Sequence, residues 1–188
     1  MVMDVNLKQK YALCEAAKKC LENTSVEKLT VKQITEAAGV SRQTFYRMFL
    51  DKYDLINWYF DILMSKSFDR MGEGKTVEEG LTLKFRYLKE ERVFFNAAFQ
   101  SDAQNNLQDH DFEMIYAFYS NWMEKKSGTG PVDETALLLE MYCRASIYMT
   151  VNWVIGGMKD SPEWLAKLLV HALPGRLEET FRKLNLLG

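Results

Sequence analysis

Apolar residues recur every three or four positions through most of this chain, the spacing that gives a helix one buried stripe. Leu7, Tyr11, Cys14, Ala17 and Leu21 make the first stripe, and Asn23-Thr24-Ser25 breaks it, with Val26 and Leu29 placed to fold the connection back onto the core. Thr30 stands as the N-cap of a second helix, Val31 to Ala38, with Gln33 where a capping box puts its partner. Gly39 supplies a left-handed turn without a Cβ clash, and Ser41 caps a third helix from Arg42 to about Phe49. Two short helices around a glycine-bearing turn predict a helix-turn-helix. Its second helix exposes Arg42, Gln43, Thr44, Tyr46 and Arg47, while Phe45 and Phe49 anchor the buried side.

Asp51 caps a long fourth helix that begins near Lys52 and carries Leu55, Ile56, Tyr59, Phe60, Leu63 and Met64 at helical spacing. Gly72 and Gly74 end it. Thr76 to Lys89, Arg92 to Phe99, Leu107 to Lys126, Asp133 to Ile155 and Pro162 to Leu184 follow as helices, the last kinked or broken at Pro174-Gly175. No short alternating segments bounded by turn signals interrupt this pattern. The expectation is an all-α protein of about nine helices: a helix-turn-helix head over residues 1–52 and a larger helical body over 53–188.

The composition, 47% apolar and 27% charged, is that of an ordinary globular chain and excludes a disordered one. No run is long and apolar enough to span a membrane, and the opening MVMDVNLKQK lacks the apolar core of a signal peptide, so a cytoplasmic protein is expected. Cys14, Cys20 and Cys143 have no CxxC spacing and read as buried free thiols. A net charge of −2 argues against nucleic acid until its distribution is considered. Between Lys8 and Lys52 nine basic residues face five acidic ones, so a basic head precedes an acidic body, as suits contact with DNA at one end.

Arg42 is suited to a guanine edge and Gln43 to an adenine edge in the major groove, whereas Thr30, Thr44, Tyr46 and Lys52 suit phosphates. Catalysis finds no foothold. There is no GxSxG, phosphate-binding glycine loop or HExxH, and His110 and His171 lack partners at metal-ligand spacing, so neither metal nor cofactor is expected. The other reading is a helical protein-interaction module that does not bind DNA, and the outward donors of the third helix weigh against it.

The stretch LTVKQITEAAGVSRQTFYRMFLDKYDLI closely resembles the N-terminal signature of the TetR family of bacterial regulators. Thr30, Ile34, Ala37, Gly39-Val40-Ser41, Thr44-Phe45-Tyr46, Phe49 and Asp51-Lys52 carry the resemblance; Met48 stands where many members have histidine. It implies a homodimer binding palindromic operator DNA, by default a repressor, with Thr30, Tyr46 and Lys52 on phosphates and Arg42, Gln43 and Thr44 on bases.

In that family the body usually holds an effector cavity. The aromatic residues here make Phe85, Phe95, Phe99, Tyr116, Tyr119, Trp122, Tyr142 and Trp153 candidates to line one for a small molecule. Asn152 and Arg144 are further polar candidates. The segment NWVIGGMKDSPEWLA resembles the last two helices of a Gram-positive subgroup that includes the activator of dihydroxyacetone kinase operons, whose effector is a protein. That resemblance implies an alternative, an activator governed by a protein partner. The family's dimer bundle makes Tyr148, Trp153, Trp164, Leu165, Leu168, Leu169 and Leu173 interface candidates.

Overall fold

The computed structural model describes residues 5–101 and 105–187. Ten helices follow in order: α1 (Val5–Leu21), α2 (Val31–Ala38), α3 (Arg42–Tyr46), α4 (Lys52–Gly72), α5 (Val77–Glu90), α6 (Arg92–Gln100), α7 (Asn105–Ser127), α8 (Asp133–Ile155), α9 (Pro162–His171) and α10 (Gly175–Lys183). Among the described residues there is no strand, and no helix is long and apolar enough to cross a membrane. The tenth helix arises because the chain breaks ahead of Pro174, which lacks an amide donor and leads into α10.

Local chemistry fixes the head. Thr30 Oγ1 accepts from the Gln33 amide at 3.2 Å while Gln33 Oε1 accepts from the Thr30 amide at 2.9 Å, a reciprocal capping box. At the other end of α2, Gly39 takes φ 67°, and the amides of Gly39 and Val40 donate to Glu36 O and Thr35 O. That pair of bonds closes the carbonyls α2 leaves open and turns the chain sharply. Ser41 Oγ accepts from the Thr44 amide at 3.1 Å to start α3. Regular helix stops at Tyr46 rather than Phe49, but the Arg47 and Phe49 amides still donate back to Gln43 O and Phe45 O, so the last turn stays wound. Asp51 Oδ1 accepts from the Tyr53 and Asp54 amides at 2.8 and 2.9 Å and launches α4.

α4 runs about 30 Å at the usual rise per residue and belongs to both parts of the molecule. Near its start Leu55 and Ile56 complete a head core made with Leu13, Cys14, Ala17, Val26, Leu29, Ile34, Phe45 and Phe49. Further along it packs against α5, α6 and α7. Gly74 makes the reversal into α5 possible, since a Cβ there would lie 2.4 Å from the Gly80 amide nitrogen. α5 then lies between α4 and α9, and α8 packs against α6, α7 and α10. The Leu186 carbonyl accepts from the Val77 amide at 2.8 Å, so the end of the chain closes over the start of α5.

Head and body are also joined by polar contacts. Tyr59 on α4 donates to Glu15 on α1, and its ring meets Phe94 of α6 edge-on at 4.8 Å between centroids. Lys18 of α1 pairs with Glu91 between α5 and α6. Burial and the neighbouring Glu15 carboxylate push the Tyr59 phenol upward, so it remains a donor in this bond. Cys14 and Cys143 are buried free thiols, whereas Cys20, expected to be buried, is half-buried because it lies off the stripe that faces the core.

Candidate functional site

The outward side of the helix-turn-helix is built on Phe45 and Phe49, whose rings lie 5.9 Å apart and which leave almost no surface exposed. With these two anchoring α3, Arg42, Gln43, Tyr46 and Arg47 are exposed and Thr44 is half-exposed. Gln43, Thr44, Tyr46 and Arg47 line one shallow surface cleft of about 450 Å³. Tyr46 meets Phe45 edge-on at 5.5 Å, which restrains an otherwise exposed phenol. Thr30, at the start of α2, is exposed with its hydroxyl engaged in the capping box.

Two residues are held by contacts invisible in the local sequence. Arg47 Nη2 donates to Gln9 Oε1 on α1 at 3.1 Å, so Gln9 positions a guanidinium thirty-eight residues away in sequence. Lys52 Nζ donates to Glu27 O at 2.6 Å and Leu29 O at 2.9 Å, bracing the connection before α2 against the start of α4. Two of the three ammonium hydrogens are thereby used inside the chain, leaving one for an outside acceptor.

The body places its candidates differently. Phe85, Phe95, Phe99, Tyr119, Tyr142 and Trp153 are buried against one another and their neighbours: Phe85 packs on Trp153 at 5.7 Å, and Phe60 meets Phe95 and Phe99 at 5.8 and 5.6 Å. Tyr116 and Trp122 are half-buried beside Phe112 and Phe118. None of these eight lines the surface clefts described among these residues. Asn152 and Arg144 are exposed, and Arg144 lies 3.9 Å over the Phe112 ring. His110 Nε2 lies 3.1 Å from Asp61 Oδ1, tying α7 to α4.

The interface candidates divide in two. Leu165, Leu169 and Leu173 are covered by their own chain, because α9 and the turn after it pack inward. Trp153 is buried too, its indole N–H donating to Asp160 O at 3.0 Å. These four are corrected from partner-facing to intrachain core. Tyr148 and Trp164 remain outside at 65% and 50% exposure, and Leu168 is half-buried. Leu137, Met141, Met149 and Ile155, not singled out from the sequence, extend the exposed apolar surface along α8. Their signal was legible: Met141, Tyr148 and Ile155 recur at seven-residue spacing.

Residues 13–58 match the family described as bacterial regulatory proteins of the tetR family, and residues 75–175 match a transcriptional regulator C-terminal region. The HTH-type dhaKLM operon transcriptional activator DhaS of Lactococcus lactis is 26% identical over 90 residues, 48% of each chain, so the match spans about half that relative's length. A solved dihydroxyacetone kinase operon activator DhaS has TM-score 0.67 at 22% identity, covering 92% of this chain and 98% of the other. The fatty acid degradation regulator FadR of Bacillus halodurans has TM-score 0.61 at 22% identity, covering 90% and 96%. At these identities the two structures establish a shared fold. With both segments matched and the second spanning more than half of its length, the chain belongs to the TetR family of bacterial transcriptional regulators.

Proposed function

We propose that this regulator binds palindromic operator DNA as a homodimer, with residues 1–52 as reading head and 53–188 as the dimerising, effector-sensing body. The observation that carries the reading is the side-chain division on α3: Phe45 buried, with Arg42, Gln43 and Tyr46 outward. Arg42, Gln43 and Thr44 read base edges, Thr30, Tyr46, Arg47 and Lys52 hold phosphates, and the bracing of Lys52 favours one fixed phosphate contact. The exposed apolar line of Met141, Tyr148 and Ile155 on α8, with Trp164 on α9, supports dimerisation. The sign follows the family's default, repression relieved by an effector. Activation through a partner protein is the second reading, favoured by the DhaS match, since that relative is named as a transcriptional activator.

A gel shift on the gene's own upstream region tests the proposal. Retardation of a two-half-site fragment as a dimer is expected, with half-sites roughly 34–36 Å apart or a multiple of a DNA turn. Arg42→Ala should weaken binding by about 1–3 kcal/mol, with melting temperature unchanged. A monomeric protein, or affinity indifferent to Arg42→Ala, would break the proposal.

A further inference from the structure

Arg47 caps the C-terminal end of α3, and its side chain is held from outside the helix-turn-helix. Its Nη2 donates to Gln9 Oε1 on α1 at 3.1 Å. Arginine can only donate, so the oxygen of the Gln9 amide is the atom turned toward it. Gln9 stands on a fixed part of α1. Leu13, one turn on, is buried in the head core, and the Lys10 ammonium lies 5.0 Å from the Phe49 ring centroid and 5.1 Å from that of Trp58. The backbone carrying Gln9 is thereby locked against the same Phe49 ring that anchors the end of α3. Gln9 is half-buried and Arg47 exposed, so a fixed acceptor holds an outward guanidinium. Arg42, at the other end of α3, has no such tether among the described residues.

We propose that Gln9 is a positioning residue for DNA binding: it presets the Arg47 guanidinium for one backbone phosphate that flanks the bases read by Arg42 and Gln43. Two observations favour a phosphate over a base as the target of Arg47. A reading helix turns its N-terminal residues to base edges, and Arg47 lies at the opposite end of α3. The tether also joins it to α1, where Lys8 and Lys10 add positive charge to the same end of that helix, which favours a phosphate. Arg47 shares its shallow cleft with Gln43, Thr44 and Tyr46, so a phosphate held there borders the base-reading side chains. The gain is entropic. A free arginine loses rotamer freedom when it closes on a phosphate, whereas a guanidinium already held by Gln9 has given up much of that freedom before DNA arrives. Only one of its five N–H groups is spent on the tether, and the planar group can offer others to two phosphate oxygens.

The inference rests on the reading that the head binds operator DNA, and it names a residue outside the helix-turn-helix on which that binding depends. The test titrates the two-half-site fragment with the full-length protein, Gln9→Met, Arg47→Ala and Gln9→Met/Arg47→Ala at several salt concentrations. Methionine keeps the stem, leaves the position uncharged and removes the acceptor. Gln9→Met should weaken operator binding about two- to tenfold, by the same factor on base-substituted operators, with the salt slope and melting temperature of the parent protein. Arg47→Ala should lower the salt slope by about one unit for each head, and in that background Gln9→Met should have no further effect. Gln9→Met binding as tightly as the parent, a loss as large without Arg47 as with it, or a loss confined to particular base substitutions would each overturn the proposal. Should Gln9→Met melt lower, the Arg47→Ala background decides, since a general loosening of the head would weaken both proteins alike. The two readings fail differently. A parent protein that leaves the operator unbound removes the head reading and this one together, whereas a parent that binds, with Gln9→Met binding equally, removes only the role of Gln9.

Discussion

In the head, Thr30, Ser41 and Asp51 each accept an amide two or three residues away, and the core behind them is aliphatic and aromatic. In the body, Lys84 finds its partner 27 residues on, and the pair is buried in the core, with the second carboxylate oxygen of Asp111 left without a hydrogen bond. The head is therefore organised by bonds local in sequence, which fix one outward surface on α3. The body instead carries a buried charge pair joined across separate helices, whose desolvation works against stability.

The sharpest way to break this comparison is Lys84→Met. Removing one partner strands Asp111 in the core and should cost about 3–5 kcal/mol in chemical denaturation, whereas Lys84→Met/Asp111→Leu should recover most of that loss. A small effect of the single change would mean that the pair is open to water and that the body is no more strained than the head. Next in size, Thr30→Ala should cost about 1 kcal/mol by losing the α2 cap, seen as a melting temperature lower by about 2–4 °C. An unchanged melting temperature would show that packing, not capping, holds α2. Smallest is Arg86→Met, which breaks an exposed pair with Glu163 and should cost about 0.5 kcal/mol or less. Glu163 is held below the ordinary carboxylate range by its own amide at the start of α9 and by Arg86. A depressed folded-state value gives stability that is present at neutral pH and lost as pH falls through the carboxylate range, so the Arg86→Met difference should shrink on acidification. A difference that persists in acid would assign the effect to packing of the Arg86 stem.

How legible each region was in the sequence follows the same divide. Thr30, Gly39, Ser41 and Asp51 act within one turn of themselves, so spacing alone placed them, and it also predicted the break at Pro174-Gly175. Gln9 on Arg47 and Glu27 O on Lys52 were invisible, because no local rule links residues so far apart. In the body, periodicity marked Leu165, Leu169 and Leu173 as a buried stripe without saying what buries it. A helix face looks the same whether its own chain or a second copy covers it, and here α5 covers it. For the aromatics, Phe85 packs on Trp153 and Phe60 on Phe95, contacts between separate helices that periodicity does not pair.

By itself, then, the sequence determined the helices, their caps, the helix-turn-helix and the outward set from Arg42 to Arg47, because each depends on residues within a turn or two of one another. The tertiary structure decided which apolar faces stay exposed, which cations are braced and where Lys84 and Asp111 meet. Those outcomes depend on which helices become neighbours, and that is settled by burying surface across the whole chain.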